Sequence, residues 1–311
     1  MWASGPDQPL YVDVRGASGD DGFRTGVALR RFASALDRPL DSLRSQFGYL
    51  PTVVFVHGVM DRSTSFNRVR SQLGDVITVA YDRRGYARSE GVSAHRAIFA
   101  DQCGDLRSII NGQAHVLIVG HSYGAVVAVG VAIESGTEQI EGLLAYEPPM
   151  SWAPWWPASA GSSTLAIADA HGPEAAAEAY RRRIVGSHIW ERLPIATRQA
   201  RLHEGEALIA DLRSLRTGPP PFSLADCGVP AVVAYGSESL AHHQRAAQEF
   251  AAGLPNVELA VVTGAGHGAH SSHPQEFAAL VRRTLLRSGW NSSSNLGGIP
   301  AQEDTAVRDS R

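Results

Sequence analysis

Residues 120–124, with the sequence GHSYG, place Ser122 between two glycines directly after an apolar run that ends at Val119. A helical pattern follows at 125–133. A G-x-S-x-G pattern between a strand and a helix is typical of a sharp turn that lifts a serine hydroxyl above a sheet, at the positive end of the helix. Ser122 is therefore the candidate nucleophile. The pattern also arises by chance in glycine-rich turns, so it needs partners elsewhere in the chain.

A serine hydroxyl needs an imidazole to accept its proton and a buried carboxylate to orient that imidazole. His267, one of 12 histidines that could serve, follows a Gly-Ala-Gly turn after the last apolar run. His270 and His273 follow it at every third residue, a spacing that also fits metal ligands on a helix. Gly266 and Gly268 argue against a helix there, and no carboxylate or thiol completes the set. The sequence therefore predicts no metal site.

Two glutamates compete for the role of the acid. Glu147 comes about 25 residues after Ser122, at the end of an apolar run and directly before two prolines. Open α/β sheets bind ligands at such carboxyl-terminal strand ends, and the fixed φ angles of the prolines stiffen the turn. Glu238 lies between two serines in a polar stretch, where solvent competes for its carboxylate. The sequence favours Glu147, with Glu238 as the second candidate.

The elements that must position these groups are short apolar runs that alternate with helical patterns. The runs cover residues 52–56, 76–81, 116–119, 142–146, 230–235 and 257–262. Runs rich in β-branched residues are typical of strands buried on both faces of a parallel sheet. Their alternation with helices predicts a doubly wound α/β fold.

The interval 148–226 lies between the fourth and fifth runs and is too long for a plain crossover. Its helical patterns, at 173–184 and 195–215, predict a helical cap inserted into the core. Upstream, 10–15 is predicted as an edge strand, and 24–47 carries apolar positions at helical spacing whose place in the fold stays open. The expected division is 10–147 for the first part of the core, 148–226 for the cap, 227–287 for the second part of the core and 288–311 for a disordered tail.

These motifs together resemble the α/β-hydrolase fold family, in its branch with a helical cap, over about residues 10–286. His57 and Gly58, at the end of the first long run, resemble the family's His-Gly turn. The resemblance implies a nucleophile elbow at Ser122 and an oxyanion hole formed by the N–H groups of Val59 and Tyr123. Two such donors would stabilise the tetrahedral intermediate of acyl transfer.

Two further segments carry the resemblance, and one departs from it. Residues 82–89, DRRGYARS, resemble the family's D-x-R-G-x-G-x-S turn, with Ala87 where glycine is usual, and we interpret this turn as structural. The Gly-Ala-Gly turn before His267 resembles the segment that delivers the catalytic histidine. The common acid position, three residues after Gly236, holds Ser239. Some members take the acid from the end of the preceding strand instead, which is the place of Glu147.

Trp152, Trp155 and Trp156 follow soon after Glu147 and make up half of the six tryptophans. With His57 they are predicted to line an apolar acyl pocket under the cap. The alternative is that the tryptophans attach the cap to the sheet. A serine at the elbow, rather than an aspartate, argues against the family members that open haloalkanes and epoxides, so acyl chemistry remains.

Composition excludes several function classes. Hydrophobic residues make up 44% of the chain and charged residues 19%, which is typical of a soluble globular protein with a large core. The net charge of −3 and the spread of the 28 basic residues, all of them arginines, disfavour a nucleic-acid or membrane partner. The absence of lysine excludes a Schiff-base mechanism. Neither a signal peptide nor a membrane span is visible, and Cys103 and Cys227 are expected to be reduced and buried, so we expect a cytoplasmic protein.

The sequence predicts a serine hydrolase that cleaves a small, largely apolar ester, lactone or thioester through an acyl-enzyme, without a metal or organic cofactor. Its expected partner is a small-molecule acyl substrate, and the oligomeric state stays open. Two alternatives use the same fold. One is a cofactor-free enzyme of another reaction class, such as a C–C hydrolase, a lyase or a haloperoxidase. The other is a non-catalytic ligand-binding protein.

Overall fold

An eight-stranded sheet lies at the centre of the residues that the computed structural model describes, namely 10–16, 25–28, 51–91, 98–113, 115–216 and 218–290. Its strands are β1 (Tyr11–Arg15), β2 (Thr25–Ala28), β3 (Thr52–Val56), β4 (Ile77–Tyr81), β5 (Val116–His121), β6 (Ile140–Tyr146), β7 (Ala231–Gly236) and β8 (Val257–Val262). Their order is β2-β1-β4-β3-β5-β6-β7-β8. Strand β1 is antiparallel to its neighbours β2 and β4, whereas β3 to β8 run parallel. All six predicted strands are present, and the mostly parallel α/β sheet is confirmed.

Helices cover both faces of this sheet. They are α1 (Asn67–Arg70), α2 (Phe99–Ile110), α3 (Tyr123–Ser135), α4 (Ser159–His171), α5 (Pro173–Val185), α6 (Ser187–Arg192), α7 (Ile195–His203), α8 (Gly205–Ser214), α9 (Ala241–Gly253), α10 (Ala269–Ser272) and α11 (Pro274–Arg287). Successive strand residues point to opposite faces. In β3, Val54 and Val56 therefore join the core under α2, α3 and α9, whereas Val53 and Phe55 join the core under α1 and α11. Burial on both faces explains why β3 reads as an unbroken apolar run.

Helices α4 to α8 occupy the interval between β6 and β7 that was predicted as a cap. The single helical pattern expected at 195–215 is divided, because α7 ends and α8 begins on either side of Glu204. Gly205 begins α8 and lets it approach α5 closely, since a Cβ there would lie 2.3 Å from the carbonyl oxygen of Pro173. A small apolar cluster attaches this layer to the core. It contains Met60, Tyr86, Ala177, Ala207 and Leu208.

The structure corrects the predictions for the margins of the sheet. The strand at 10–15 is not an edge strand, because it pairs with β2 on one side and β4 on the other. Strand β2 lies in the segment 24–47, whose apolar spacing is helical, and residues 29–47 lie outside the described residues. Strand β8 is not buried on both faces, since it ends the sheet and leaves Leu259 and Val261 41% and 49% exposed.

Three further expectations concern the tail, the cysteines and membrane spans. Trp290 packs against the core, so the predicted tail does not begin at 288, and residues 291–311 lie outside the described residues. Cys103 and Cys227 are buried free thiols, as predicted. Within the described ranges, every helix is too short or too polar to cross a bilayer.

Candidate active site

Ser122 occupies a strained turn between β5 and α3. Its φ of 55° and ψ of −125° lie outside the regions that residues with a side chain prefer. Gly120 and Gly124 are required on either side, because a Cβ at Gly120 would lie 2.4 Å from Ala125 Cα and a Cβ at Gly124 would lie 2.3 Å from the Val56 oxygen. The close passage of strand and helix thus explains the glycine spacing that first singled out Ser122.

The register of the sheet brings the turn of Ser122 next to Glu147. His121 pairs with Tyr146 at the ends of β5 and β6, so Ser122 and Glu147 both follow adjacent strand ends. The Ser122 N–H donates to the Tyr146 oxygen at 2.9 Å, and the Glu147 N–H donates to the Ala234 oxygen at 2.9 Å. Glu147 also has a positive φ, of 47°. The backbone therefore holds both residues in sparsely populated conformations at the carboxyl edge of the sheet.

Glu147 is the carboxylate that the structure pairs with His267. His267 Nδ1 lies 2.6 Å from Glu147 Oε2, and the Glu147 carboxylate is fully buried. The other carboxylate oxygen accepts hydrogen bonds from the Gly236 N–H, at 2.9 Å, and from the Ser239 hydroxyl. Glu238, the second candidate, is exposed, and its backbone N–H donates to the Ala265 oxygen.

The environment of Glu147 favours its ionised form. Burial raises the pKa of its carboxyl, but the hydrogen bonds and the charge of His267 oppose burial, and the Gly236 and Ser239 donors add to them. The net pKa lies below the ordinary value for glutamate. An ionised Glu147 accepts a hydrogen bond from the N–H of His267 Nδ1, so Nε2 is the nitrogen left for a second partner. His267 and Ser122 line the same cavity.

The loop after β7 supports the acid, although it does not supply it. Ser239 stands at the position where an acid was expected from the resemblance, and its hydroxyl donates to Glu147. Gly236 lets this loop approach the His267 segment, because a Cβ there would lie 2.1 Å from the Ala265 oxygen. Sequence reasoning noted Ser239 only as a missing acid, and its proximity to Glu147 follows from the pairing of β6 with β7.

Val59 and Tyr123, the two residues predicted to donate N–H groups, line the cavity together with Ser122. Tyr123 is the first residue of α3, so its N–H has no acceptor within the helix. Gly58 sits against the nucleophile turn, since a Cβ there would lie 3.0 Å from Ser122 Cβ. This contact brings the turn that carries Val59 next to Ser122. The role of the two N–H groups as an oxyanion hole stays a prediction.

His57 does not line the cavity, contrary to the predicted pocket, because both ring nitrogens are used inside the core. Nδ1 lies 2.8 Å from the Gly58 oxygen, and Nε2 accepts the Arg83 N–H at 2.8 Å. Burial, followed by the charge of Arg83, lowers the pKa of His57 to about 4. His57 is thus a neutral residue that ties the turn after β3 to the turn after β4.

Of the three tryptophans predicted to line the pocket, only Trp156 does so. Trp152 packs edge-on against Phe222 and Phe250, each at 6.2 Å between ring centroids. Trp155 lies under the guanidinium of Arg245, at 4.2 Å. For Trp152 and Trp155 the alternative interpretation, attachment of neighbouring elements, describes the contacts better.

The cavity has a volume of about 540 Å³ and lies between the carboxyl edge of the sheet, the cap helices and α9. Sequence reasoning missed several of its lining residues. They are Tyr180, Arg183 and Asp211 from the cap and His242 and His243 from α9. The ring of His243 stacks on that of His267, with 4.4 Å between centroids. The only sequence signal for the last pair is two adjacent histidines soon after Ser239.

The neutral state of His243 follows from its surroundings. Burial, followed by the charge of His267, lowers its pKa to about 3. Burial also lowers the pKa of His242. Near neutral pH these two imidazoles therefore add no positive charge to the cavity.

The D-x-R-G segment is structural, as predicted, and fixes the cap. Arg83 and Asp211 are fully buried and form two hydrogen bonds, of 2.6 and 3.2 Å, and the Tyr86 hydroxyl also donates to Asp211 at 2.7 Å. Asp211 belongs to α8, so this pair joins the turn after β4 to the cap. Ala87 keeps the left-handed backbone of the glycine it replaces, with a φ of 48°.

The three spaced histidines do not form one group. His270 pairs with Asp61, with 3.3 Å between Nε2 and Oδ2, and His273 contacts Ser272. Among the described residues, two groups have potential metal-ligand atoms within 4.8 Å of one another. They are Asp61 with His121 and His270, and Glu147 with His243 and His267. In each group the carboxylate already has an imidazole partner.

Comparison with known proteins decides the family. The model of the alpha/beta hydrolase family matches residues 53–280. The chain belongs to the alpha/beta hydrolase family. The match covers the elbow, the strand end at Glu147 and the His267 segment, and the solved structures with a similar fold include an esterase and an enol-lactonase.

Individual relatives of this α/β hydrolase are distant. It is 25% identical over 257 residues to the 2-succinyl-6-hydroxy-2,4-cyclohexadiene-1-carboxylate synthase of Serratia proteamaculans, which covers 77% of this chain and 94% of that protein. A thermophilic esterase from Thermogutta terrifontis is similar with a TM-score of 0.61 at 20% identity, covering 76% of this chain and 90% of the esterase. The enol-lactonase of Burkholderia xenovorans gives a TM-score of 0.62 at 19% identity, covering 77% and 92%. At these identities the two structures show a common fold.

Proposed function

We propose that this α/β hydrolase is a serine hydrolase that cleaves a small, largely apolar ester, lactone or thioester through an acyl-enzyme. The observation that carries the proposal is the contact of 2.6 Å between His267 Nδ1 and the buried Glu147, beside a cavity that Ser122 also lines. A buried, ionised carboxylate on Nδ1 is what a histidine needs to act as a base at Nε2. The strained turn at Ser122 supports the role of that serine as the nucleophile.

In the proposed reaction, His267 Nε2 takes the proton of Ser122 Oγ while that oxygen attacks the substrate carbonyl. The N–H groups of Val59 and Tyr123 stabilise the negative oxygen of the tetrahedral intermediate. His267 then returns the proton to the leaving group, and Glu147 stabilises the imidazolium that exists between these two transfers. A water molecule, activated by His267 in the same way, attacks the acyl-enzyme and releases the acid.

The residues that line the cavity favour a substrate with an apolar acyl or alcohol group. Aliphatic residues from several elements line this space together with the nucleophile, namely Val59, Ile184, Leu212, Leu215 and Leu240. Burying a few methylene groups against such a wall stabilises a bound substrate by about 0.8 kcal/mol for each CH₂. We propose a small-molecule substrate on this basis. The buried thiols Cys103 and Cys227 fit a reducing, cytoplasmic location.

A second candidate is a cofactor-free reaction of another class, in which the same base removes a proton from carbon. The relative from Serratia proteamaculans favours it, because that protein is named a synthase. The two candidates differ in whether a covalent acyl-enzyme forms on Ser122.

The test is intact-mass spectrometry after reaction with a fluorophosphonate probe, together with turnover of short aryl esters. We expect one adduct and ester hydrolysis in the native protein and neither in Ser122→Ala. Ser151 is a matched control, because it also lines the cavity, and Ser151→Ala should label fully. Labelling that persists in Ser122→Ala would remove Ser122 as the nucleophile. Labelling without ester turnover would favour the second candidate.

The choice of base is tested in the same assay. His267→Ala should abolish acylation, because it removes the only imidazole paired with Glu147 among the described residues. His270→Ala should retain more activity, because His270 pairs with Asp61 instead. A loss confined to His270→Ala would reverse the assignment.

A further inference from the structure

The cavity carries an unequal distribution of charge on its walls. Among the described residues, Asp211 is the one acidic cap residue that lines it, and its carboxylate accepts two hydrogen bonds from Arg83 and one from Tyr86. The buried Arg83–Asp211 pair therefore presents little net charge to a ligand. At the sheet edge, Glu147 is covered by His267, Gly236 and Ser239. Both carboxylates near the cavity are thus satisfied by protein donors.

Arg183 is the cationic side chain of this wall without such a partner. It belongs to α5 and lines the cavity together with Ser122. Its guanidinium lies over the ring of Tyr180, 5.1 Å from the ring centroid, and Tyr180 also lines the cavity. Within the described part of the chain, Arg183 forms no ion pair or hydrogen bond.

The two neighbouring arginines of α5 both have protein partners, in contrast to Arg183. Arg182 pairs with Glu178 at 2.8 Å and with Glu191 at 2.7 Å. Arg181 donates to the Met60 oxygen at 3.3 Å. Of the three consecutive arginines, Arg183 alone lines the cavity, and its exposed guanidinium has no hydrogen bond to the described residues. A guanidinium stacked on an aromatic ring is also held in position, so little conformational entropy is lost when it binds an anion.

We propose that Arg183 forms an anion subsite, so that the substrate of this enzyme is an acyl compound with a carboxylate at the end remote from the scissile carbonyl. The proposal rests on the proposed function, because it assigns the reacting carbonyl to Ser122. A planar guanidinium binds a carboxylate through two parallel hydrogen bonds. The aliphatic wall, which includes Leu212 and Leu215, would contact the carbon chain between the two ends. The subsite thus narrows the substrate class from apolar esters to half-esters and related acyl acids.

The test compares two substrates that differ only at the remote end. One is the mono-p-nitrophenyl ester of glutaric acid, and the other is the same compound with its free carboxylate capped as a methyl ester. The measured quantity is the ratio of kcat/KM for the charged substrate to kcat/KM for the neutral one. A ratio is insensitive to the fraction of folded enzyme, so a partly misfolded variant still gives a valid result.

In the native enzyme the ratio should exceed one and fall as salt is added, because ions screen an exposed charge pair. Arg183→Gln should lower the ratio by about 10- to 100-fold, mainly through KM for the charged substrate, as expected for a lost hydrogen bond to a charged group. Arg182→Gln is the matched control, since Arg182 is paired on the protein surface, and it should leave the ratio unchanged. A native ratio at or below one, or equal ratios in the native enzyme and Arg183→Gln, would overturn the proposal.

Direct binding separates this proposal from the proposed function. Glutarate should bind Ser122→Ala saturably in calorimetry, and the added Arg183→Gln substitution should abolish that binding. If the native enzyme hydrolyses neither ester but glutarate binding depends on Arg183, the proposed function fails and the anion subsite stands. If both esters are hydrolysed and glutarate binds equally with and without Arg183, the subsite fails and the proposed function stands.

Discussion

Glu147 and Asp211 are two buried carboxylates, and they differ in the partner that each holds. Glu147 is fully buried and Asp211 is 1% exposed, and each accepts hydrogen bonds from three donor atoms. The partner of Asp211 is Arg83, which stays charged at every accessible pH. The partner of Glu147 is His267, an imidazole that can gain and lose a proton. A permanent partner fixes a structure, whereas a titratable partner that lines a cavity can perform chemistry.

The backbone shows the same contrast. Asp211 lies within α8, in ordinary helical geometry, and its position is set by the packing of the cap. Glu147 lies at a strand end with a positive φ, next to Ser122 with another. Such conformations cost about 1–3 kcal/mol each and persist where the surrounding structure enforces them. Of the five described residues with a side chain and a positive φ, two are therefore the proposed nucleophile and its proposed acid.

The largest effect that this comparison predicts is on catalysis at Glu147. Glu147→Gln should lower kcat by about 10⁴-fold, because an amide cannot hold His267 in the required tautomer or stabilise its charged form. The measurement is steady-state hydrolysis of an aryl ester. Glu238→Gln is the matched control at the alternative position and should cost less than about tenfold, since that carboxylate is exposed. The reverse ranking would show that the pairing of Glu147 with His267 has no catalytic role.

The second prediction concerns stability at Asp211. Asp211→Asn should lower the free energy of unfolding by about 3–5 kcal/mol, because it leaves the buried Arg83 charge uncompensated. Urea unfolding followed by tryptophan fluorescence measures this loss. The control is Asp169→Asn, which breaks an ion pair with Arg213 on the protein surface and should change stability little. If Asp211→Asn proved as stable as the native protein, the Arg83–Asp211 pair would not have the structural role that distinguishes it from the Glu147–His267 pair.

The third prediction concerns the buried imidazole of His57, which lies beside Arg83. The pKa of His57 is about 4 in the folded protein against an ordinary value of 6.5, because of burial and then Arg83. Between these two values the unfolded chain binds more protons than the folded one, so stability falls as the pH drops from 6.5 towards 4. The full contribution is about 3 kcal/mol. Unfolding curves at pH 7, 5.5 and 4.5 should therefore be less pH-dependent in His57→Gln.

His188→Gln is the control for this titration, because His188 is exposed on α6. Its pH dependence should match that of the native protein. An equal flattening in both variants would show that the acid sensitivity is a general charge effect and does not come from the buried imidazole beside Arg83.

Where local chemistry constrains a residue, the sequence predicted its position. The glycines around Ser122 follow from backbone contacts that no Cβ could occupy, and Glu147 follows from its place at a strand end before two prolines. Contacts between layers were not predictable in this way. Trp152 and Trp156 are four positions apart with similar surroundings in the sequence, yet one packs on Phe250 and the other lines the cavity. Asp211 and Arg183 belong to cap helices whose docking depends on tertiary packing, so nothing in their spacing marked them.

The smallest effect is expected at Ser239. It tests whether the loop after β7 helps to hold Glu147, which follows β6. The Ser239 hydroxyl donates to the carboxylate that also binds His267. Ser239→Ala should lower kcat by about tenfold, or about 1.4 kcal/mol, because Glu147 loses one donor and keeps the other two. Ser237→Ala is the matched control, since that hydroxyl accepts the Gly264 N–H and does not contact Glu147.

A carboxylate placed at position 239 gives a second test of whether the loop after β7 can hold the acid. If the loop after β7 can still present an acid to His267, the double substitution Glu147→Gln with Ser239→Asp should recover at least tenfold in kcat over Glu147→Gln alone. Recovery would show that an acid can reach His267 from the end of either β6 or β7, and that Ser239 occupies the position after β7. No recovery, together with an unchanged kcat in Ser239→Ala, would mean that β6 alone positions the acid. The hydrogen bond from Ser239 would then be a consequence of packing, like the contacts of Asp211 on the other side of the cavity.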